Sequence, residues 1–167
     1  MKPVLQALLL ADRVYVDRAT GKHIVAGVFD EMRFVSPAKM RAEMESRSPD
    51  RPVVHGGMVA GSPYAFISLT DVRGEQHFDL RYVFLDEDQM VFQTHFTVHN
   101  DDPLRSVRLV AGLPPLPSDR AGTFALELLW NGELLGFYRV VVKEMEFGEP
   151  PRGGADPRPP SPEGELD

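Results

Sequence analysis

The sequence predicts an all-β protein, built as a sandwich or a barrel, from three observations. Apolar and polar residues alternate with period two in short segments along most of the chain. Turn-forming residues separate these segments about every 10–12 residues, which is typical of an all-β fold and not of a βαβ fold. The two clearest segments lie within residues 122–143 and are joined by Asn131-Gly132, a dipeptide that suits a tight hairpin turn.

The first part of the chain predicts two strands. Residues 4–12 form the first, and residues 13–17 extend it or form a short piece of their own. Residues 18–22 form a turn, with Gly21 at its positive-φ position. Residues 23–34 form the second strand. Both of its phases are partly apolar, so we expect this strand to be central or covered on both sides.

A short helix is predicted after the second strand, over residues 36–47. Ser36 is a good N-cap, and Pro37 suits the first helical position. Met40 and Met44 lie one turn apart and therefore share a face of this helix. We expect the helix to close one end of the β structure.

Four further strands are predicted before the hairpin. The first lies within residues 58–72 and is clearest at 64–70, and the others follow at 76–85, 89–99 and 104–111. Residues 71–75 predict a hairpin connection between the first two of these strands. The proline-rich residues 112–120 lead to the hairpin without a regular ladder, because proline has no N–H to donate.

A regular hairpin over residues 122–143 would place charged side chains of its second strand on the core face. A plain two-residue turn pairs Phe124 with Arg139 and turns both Arg139 and Lys143 toward the core. An unpaired charge costs several kcal/mol there. One extra residue near Gly136 reverses the phase beyond it, so the sequence predicts a bulge or irregularity at that point.

Composition and charge exclude several classes of function. The formal charge of −7 disfavours nucleic acid as a partner, because a polyanion needs a positive surface. The chain has no Cys, which excludes disulfides and thiol chemistry and is compatible with the cytosol.

The apolar run at residues 4–11 contains Gln6 and leads to no cleavage site, so we expect a strand there and not a signal peptide. No run approaches the ~20 apolar residues of a membrane-spanning helix, so we expect a cytoplasmic protein without a membrane partner.

The end of the chain differs in composition from the rest. Six of the last 20 residues are Pro and four are Gly, so this stretch has almost nothing to bury. We expect residues 1–147 to form one β domain and residues 148–167 a disordered acidic tail. Two P-x-x-P spacings, starting at Pro157 and Pro159, suit a polyproline II ligand, although a solvating tail or linker is the simpler interpretation.

No residue pattern predicts catalysis. The chain lacks a G-x-S-x-G motif, and its glycine pairs are not followed by the Lys-Ser or Lys-Thr of a phosphate loop. His95 and His99 lie about 13 Å apart on one strand face and cannot share a metal, whereas His77 on the neighbouring strand could approach one of them. We therefore expect surface histidines and a protein that is not an enzyme and holds no cofactor.

Carboxylates in the predicted turns keep calcium binding open as an alternative. They are Asp71, Asp86, Glu87, Asp88, Asp101, Asp102 and Asp119. Calcium takes six to eight oxygen ligands, and loops at one end of a sandwich can supply them. However, no D-x-D-x-D-G run is present, and the groups at 86–88 and 101–102 lie at opposite ends of one predicted strand. Carboxylates that make soluble turns are the simpler interpretation.

Four blocks of sequence between Ala7 and Val142 resemble an uncharacterised bacterial family of small β-sandwich domains of unknown function. They include ADRVYVDRATGKHIVAGVFD near the start and GTFALELLWNGELLG near the end. The resemblance implies an antiparallel β-sandwich of about seven or eight strands, immunoglobulin-like or C2-like. It implies no activity, cofactor or site residue. This chain departs from the family in residues 36–57, which hold the predicted helix.

The sequence favours a non-catalytic interaction or scaffold module that binds a protein partner or a second copy of itself. The candidate interaction surface has two parts. Met40 and Met44 offer a soft, adaptable helix face, and Ala125, Leu129 and Leu134 make the second face of the hairpin too apolar for free solvent. A module that binds a small ligand or calcium is the alternative.

Overall fold

Nine β-strands lie in the part of the chain that the computed structural model describes, which is residues 2–36, 38–39, 42, 62–116 and 120–145. In chain order they are β1 (Val4–Val16), β2 (His23–Val28), β3 (Glu31–Phe34), β4 (Tyr64–Thr70), β5 (Gly74–Phe84), β6 (Gln89–Asn100), β7 (Val107–Gly112), β8 (Gly122–Trp130) and β9 (Glu133–Glu144). The strands form two sheets with one core between them. The predicted all-β class is therefore confirmed, and the arrangement fits a β-sandwich.

The two sheets have four and five strands. The four-stranded sheet has the order β2-β1-β4-β7 and is antiparallel throughout. The five-stranded sheet has the order β3-β9-β8-β5-β6, and in it β3 runs parallel to β9 while every other pair is antiparallel. The chain changes sheets between β2 and β3, between β3 and β4, between β4 and β5, between β6 and β7, and between β7 and β8.

The core is made by the inward-facing residues of both sheets, as period-two alternation requires. The largest fully buried side chains are Tyr82, Phe78, Phe124, Leu10, Ile67, Leu69, Leu80, Leu116, Leu126, Leu128, Val72 and Val140. Burying each large apolar side chain contributes roughly 1.5–3 kcal/mol, so this layer is the main source of stability.

The β8–β9 hairpin contains the predicted irregularity. The turn at 131–132 has positive φ at both positions, as a two-residue hairpin turn requires. The register then shifts, and Leu135 is the extra residue, directly before Gly136. Beyond this bulge Arg139 and Lys143 lie on the outer face, and Val140 and Val142 face the core. The prediction of a bulge is confirmed.

The prediction of one strand over residues 23–34 is wrong, because Phe29 and Asp30 divide it. Phe29 packs against the core, and its carbonyl oxygen accepts a hydrogen bond from the Tyr138 hydroxyl at 3.1 Å. The Asp30 carbonyl oxygen accepts one from the Val141 N–H at 2.8 Å, which draws the chain into the other sheet. As a result β2 is the edge strand of the four-stranded sheet and not a central strand.

The predicted hairpin connection at residues 71–75 is also wrong. β4 and β5 belong to different sheets, so residues 71–73 cross from one sheet to the other. Asp71 has positive φ and Val72 is fully buried at the crossing. Turn-forming residues suit a crossing as well as a hairpin, and the local pattern does not distinguish them.

Two predicted features fall outside the described residues. The helix over residues 36–47, with Met40 and Met44, lies almost entirely there, and no helix is among the elements of the described part. The tail, residues 148–167, lies there completely. Within the described ranges no helix is long and apolar enough to cross a membrane.

Candidate interaction surface

The outer face of the five-stranded sheet carries the three hairpin residues predicted as an interaction surface. Ala125 and Leu129 are only 1% and 6% exposed, whereas Leu134 is 44% exposed. Ala125 pairs with Val83 on one side and Arg139 on the other, so a small side chain lies between two larger ones. Ala125 and Leu129 are therefore covered by their own neighbours, and Leu134 alone of the three is available for contact.

Exposed apolar side chains on this outer face also include Phe137 and Met90. The Arg139 guanidinium lies over the Phe137 ring, 5.8 Å from its centroid. In the same row of the sheet as Phe137, Arg81 Nε donates to Glu127 Oε2 at 2.7 Å. The face is thus a mixed surface on which charged groups interrupt the apolar ones.

A second surface is formed where β1 continues beyond its partner β4. The last β1–β4 pair is Ala11 with Tyr64, and from there on β1 pairs with β2 alone. Residues 13–16 of β1 and residues 23–26 of β2 therefore make a two-stranded ribbon. An isolated two-stranded hairpin is only marginally stable in water, so the ribbon depends on what its faces contact.

The ribbon bends where it leaves the sheet. Gly27 has φ near +69°, and the Asp12 side chain occupies the place that a Cβ of Gly27 would take. A straight strand would carry Val16 and His23 about 17 Å beyond Ala11. Instead the His23 ring lies 5.6 Å from that of Phe66, on the outer face of β4. The bend therefore turns the ribbon back toward this face.

The turn at the tip of the ribbon is held by Asp17. Its carboxylate accepts hydrogen bonds from the Thr20 hydroxyl at 2.6 Å and from the Ala19 N–H at 2.9 Å. The hydrogen bond from Thr20 is the main reason that the pKa of Asp17 is lowered. The backbone closes the same turn, because the Gly21 N–H donates to the Asp17 carbonyl oxygen at 2.7 Å.

Large apolar side chains are concentrated on and beside the ribbon. Tyr15, Val16, Ile24 and Val28 are each about half exposed, between 49% and 56%. Sequence reasoning missed this surface, because apolar residues in both phases of a segment also fit a central strand. One available signal was the length of the first apolar segment, which extends past the predicted end of its strand at residue 12.

An open groove of about 600 Å³ lies between the ribbon and the start of β4. It is lined by Asp12, Arg13, Val14, Tyr15, Ser62 and Tyr64. Two phenol rings and two charged groups of opposite sign therefore border one shallow site.

Three histidines lie together on the outer face of β5 and β6, each beside its own carboxylate. His77 is opposite Thr97 and accordingly lies between His95 and His99, and its Nδ1 is 3.1 Å from the Thr97 hydroxyl. His95 contacts Asp79 and His99 lies 2.8 Å from Asp101. All three rings are exposed on a flat surface and do not converge in a cleft. His23 lies on the ribbon, and His55 is outside the described residues.

The acidic turns do not form a cation site in the described part of the chain. Among those residues no three His, Asp or Glu side chains are placed to hold one metal ion. The turns at 86–88 and 101–102 lie at opposite ends of β6. Asp119, the last of the predicted acidic turn residues, is outside the described residues.

No protein-family model matches the chain, and a comparison with curated proteins finds no match.

Proposed function

We propose that this chain is a non-catalytic interaction module that binds a protein partner or a second copy of itself through the ribbon. The observation that carries this proposal is the concentration of half-exposed large apolar side chains on the ribbon. Contiguous exposed apolar surface on a folded protein marks a site of association, whereas single exposed apolar residues need no explanation.

The position of the ribbon also supports the proposal. Among the strands of the described residues, β2 is the terminal one of its sheet, and a terminal strand presents unpaired N–H and C=O groups along its open side. Apolar side chains and an open backbone edge are the two features that strand addition to a sheet uses. The ribbon supplies both.

The order of the strands favours the immunoglobulin-like form of sandwich over the C2-like form. β1, β4 and β7 are arranged as strands A, B and E of an immunoglobulin sheet, and β9, β8, β5 and β6 as strands G, F, C and C′. The entry to β8 also resembles the corner of such domains, with Phe124 where a tyrosine would stand. Domains of this architecture serve many functions, so the type of sandwich adds no function by itself.

The outer face of the five-stranded sheet is a weaker second part of the proposed surface. Leu134, Phe137 and Met90 are exposed there, but the Arg81–Glu127 ion pair separates Met90 from the other two. This face therefore provides the matched control for the ribbon.

The test compares two double variants, each of which replaces two exposed apolar residues by serine. We expect Tyr15→Ser/Ile24→Ser to lose association, in light scattering of the pure protein or in retention of a crosslinked partner. We expect Leu134→Ser/Phe137→Ser to retain most of it. Thermal unfolding of each variant checks that the sandwich is intact. Retention of association by the folded ribbon variant would contradict the proposal.

A small-ligand module is the second candidate, and the groove beside the ribbon favours it. Tyr15 and Tyr64 offer aromatic faces, and Asp12 and Arg13 offer hydrogen bonds of both kinds, which suits a polar ring compound such as a saccharide. Tyr64 separates the two candidates, because it lines the groove without belonging to the ribbon. The calcium form of this candidate has no support from the acidic turns in the described residues.

A further inference from the structure

Beyond the proposed interaction role, we infer that the groove between the ribbon and the start of β4 binds a segment of this same chain, the proline-rich residues 157–162. Their sequence, PRPPSP, contains both P-x-x-P spacings of the tail. The segment lies outside the described residues, whereas the residues that line the groove are among the described ones. The contact is made within one molecule and covers the exposed ring of Tyr15.

The groove has side chains that suit a polyproline II helix. Tyr15 and Tyr64 border it, and both rings are exposed. Aromatic side chains line the grooves in which P-x-x-P segments bind. The phenol hydroxyls can also donate to backbone carbonyl oxygens, which a polyproline II helix leaves without internal partners. A saccharide would use the same rings, so the choice of the tail depends on where the tail begins and on its charges.

β9, the strand that leads into the tail, runs beside β1 in the same direction. Lys2 contacts Glu133 near the start of both strands, and the Leu5 side chain occupies the place that a Cβ of Gly136 would take. Three positions separate these two contacts in each part of the chain. The two strands therefore advance in step.

The same correspondence continues to the end at which the ribbon leaves the sheet. The Phe29 N–H donates to the Leu10 carbonyl oxygen, and the carbonyl oxygen of the next residue, Asp30, accepts from the Val141 N–H. β9 ends shortly afterwards, at Glu144. The tail therefore leaves the sandwich at the end that carries the groove.

The tail is long enough to reach the groove. Eleven residues, 146–156, separate the last described strand and its flanking Met145 from Pro157, and they span up to about 35 Å when extended. The two sheets of a sandwich lie only about 10 Å apart. A segment tethered in this way acts at an effective concentration of about 1 mM, so a contact that is weak between separate molecules is populated within one.

The charges of the groove match those of the segment. Asp12 and Arg13 line the groove, and neither has an ion-pair partner among the described residues. The segment contains Arg158, and Glu163 follows it directly. Arg158 can therefore pair with Asp12, and Glu163 with Arg13.

Paramagnetic relaxation measures the contact in the full chain, which has no Cys of its own. A nitroxide attached to Gly164→Cys lies just after the segment. We expect it to broaden the amide signals of residues 13–15 and of Tyr64. The signal of Gly132, at the opposite end of β9, should stay sharp.

Two proline pairs of the tail give the matched comparison. Pro159→Ala/Pro160→Ala removes both P-x-x-P spacings, whereas Pro150→Ala/Pro151→Ala removes neither. We expect the first variant to reduce the broadening at residues 13–15 about fivefold and the second to leave it unchanged. Equal broadening in the two variants would overturn the inference and leave the groove to a ligand from outside, such as a saccharide.

Removal of single charges tests the assigned ion pair. Arg158→Gln should reduce the broadening about twofold at low salt, whereas Arg152→Gln, its matched control in the tail, should not. In an Asp12→Asn background Arg158→Gln should have no further effect, because the pair is already broken. A full effect of Arg158→Gln in that background would overturn the pairing with Asp12.

A mixture of two chains distinguishes contact within one molecule from contact between copies. Chains that carry the nitroxide but no isotope label are mixed with isotope-labelled chains that carry no nitroxide. We expect no broadening in this mixture. Broadening would assign the groove to the tail of a second copy and overturn the intramolecular contact.

These measurements separate the tail contact from the proposed function, on which it does not depend. Broadening reports the tail alone, whereas association of the serine variants reports the ribbon. Where the ribbon associates, Pro159→Ala/Pro160→Ala should strengthen that association about twofold, because Tyr15 is no longer covered.

Discussion

The hydroxyl groups of Tyr82 and Tyr138 differ in whether they have a hydrogen-bond partner among the described residues. The Tyr82 hydroxyl has no hydrogen-bond partner among the described residues, and burial raises the pKa of this tyrosine far above its usual range. The Tyr138 hydroxyl donates to the Phe29 carbonyl oxygen, and burial followed by the nearby Asp30 charge raises its pKa. A buried polar group without a partner costs free energy, whereas a satisfied one stabilises.

Removing the two hydroxyl groups should therefore have opposite effects. We expect Tyr82→Phe to leave the free energy of unfolding unchanged or to raise it by up to about 1 kcal/mol. We expect Tyr138→Phe to lower it by about 1 kcal/mol, since the bond that holds Phe29 at the change of sheets is lost. Urea unfolding of both variants measures the difference. A loss larger than about 1 kcal/mol in Tyr82→Phe would show that its hydroxyl has a partner in solution.

At the scale of one element, the extra residue of the β8–β9 hairpin can be removed without changing the faces of β9. Deleting Leu135 leaves a regular ladder in which Gly136 still lies opposite Leu128 and Arg139 opposite Ala125. Arg139 and Lys143 therefore stay on the outer face, and we expect the deletion variant to unfold cooperatively, with a loss of roughly 1–2 kcal/mol for the missing Leu135 side chain.

The control for this deletion is Leu135→Ala, which removes most of the side chain and keeps the bulge. Leu135 is partly buried against the core, so we expect this variant to unfold cooperatively with a loss of roughly 1–2 kcal/mol. Circular dichroism during thermal unfolding measures the transition of each variant. A deletion variant without a cooperative transition would contradict this pairing register.

The strands themselves were predictable from the sequence, and so was this bulge. The alternation of apolar and polar residues, as around Phe78, Leu80 and Tyr82, can be read within a single strand. The bulge was predictable because a regular hairpin would turn charged residues of the same strand toward the core. The edge position of β2 was not predictable in this way. Ile24 and Val28 have the same apolar pattern whether a neighbouring strand or solvent lies beside them, and only the sheet order distinguishes the two cases.

The candidate site was predicted only in part, for a similar reason. Leu134 is exposed as expected, but Ala125 and Leu129 are covered by side chains of the adjacent strands. Which side chains cover a small residue depends on cross-strand pairs that are distant in sequence. The ribbon was missed because its exposure depends on the pairing of β1 with β4. This pairing stops at Tyr64, the first residue of β4, while β1 continues.

At the scale of the whole molecule, three carboxylates couple stability to pH. The pKa values of Asp17, Glu31 and Glu144 are lowered, chiefly by hydrogen bonds from Thr20, Lys143 and Ser36 respectively. Each group binds its proton less readily in the folded than in the unfolded protein. The stability that it contributes is complete above the unfolded pKa and is lost as the pH falls through the lower folded value.

We therefore expect the free energy of unfolding to be constant from neutral pH down to about pH 5 and to fall below it. Glu31→Gln removes one of the three groups and should make the decrease less steep. Lys143→Met removes the donor that lowers the pKa of Glu31 and should have the same effect. Urea unfolding at several pH values between about 7 and 3 measures the slopes. Identical slopes in wild type and both variants would contradict this account.

The parallel pair of β3 and β9 determines how the sandwich responds to tension. Glu31 lies beside Val141 and Phe34 beside Glu144, so the chain enters β3 and leaves β9 at opposite ends of the pair. A force that pulls these two points apart slides one strand along the other, and all the hydrogen bonds between them share the load. In an antiparallel hairpin such as β8–β9, the same force applied at the open end breaks the bonds one after another. Tension between these two points is thus carried by the whole β3–β9 ladder at once.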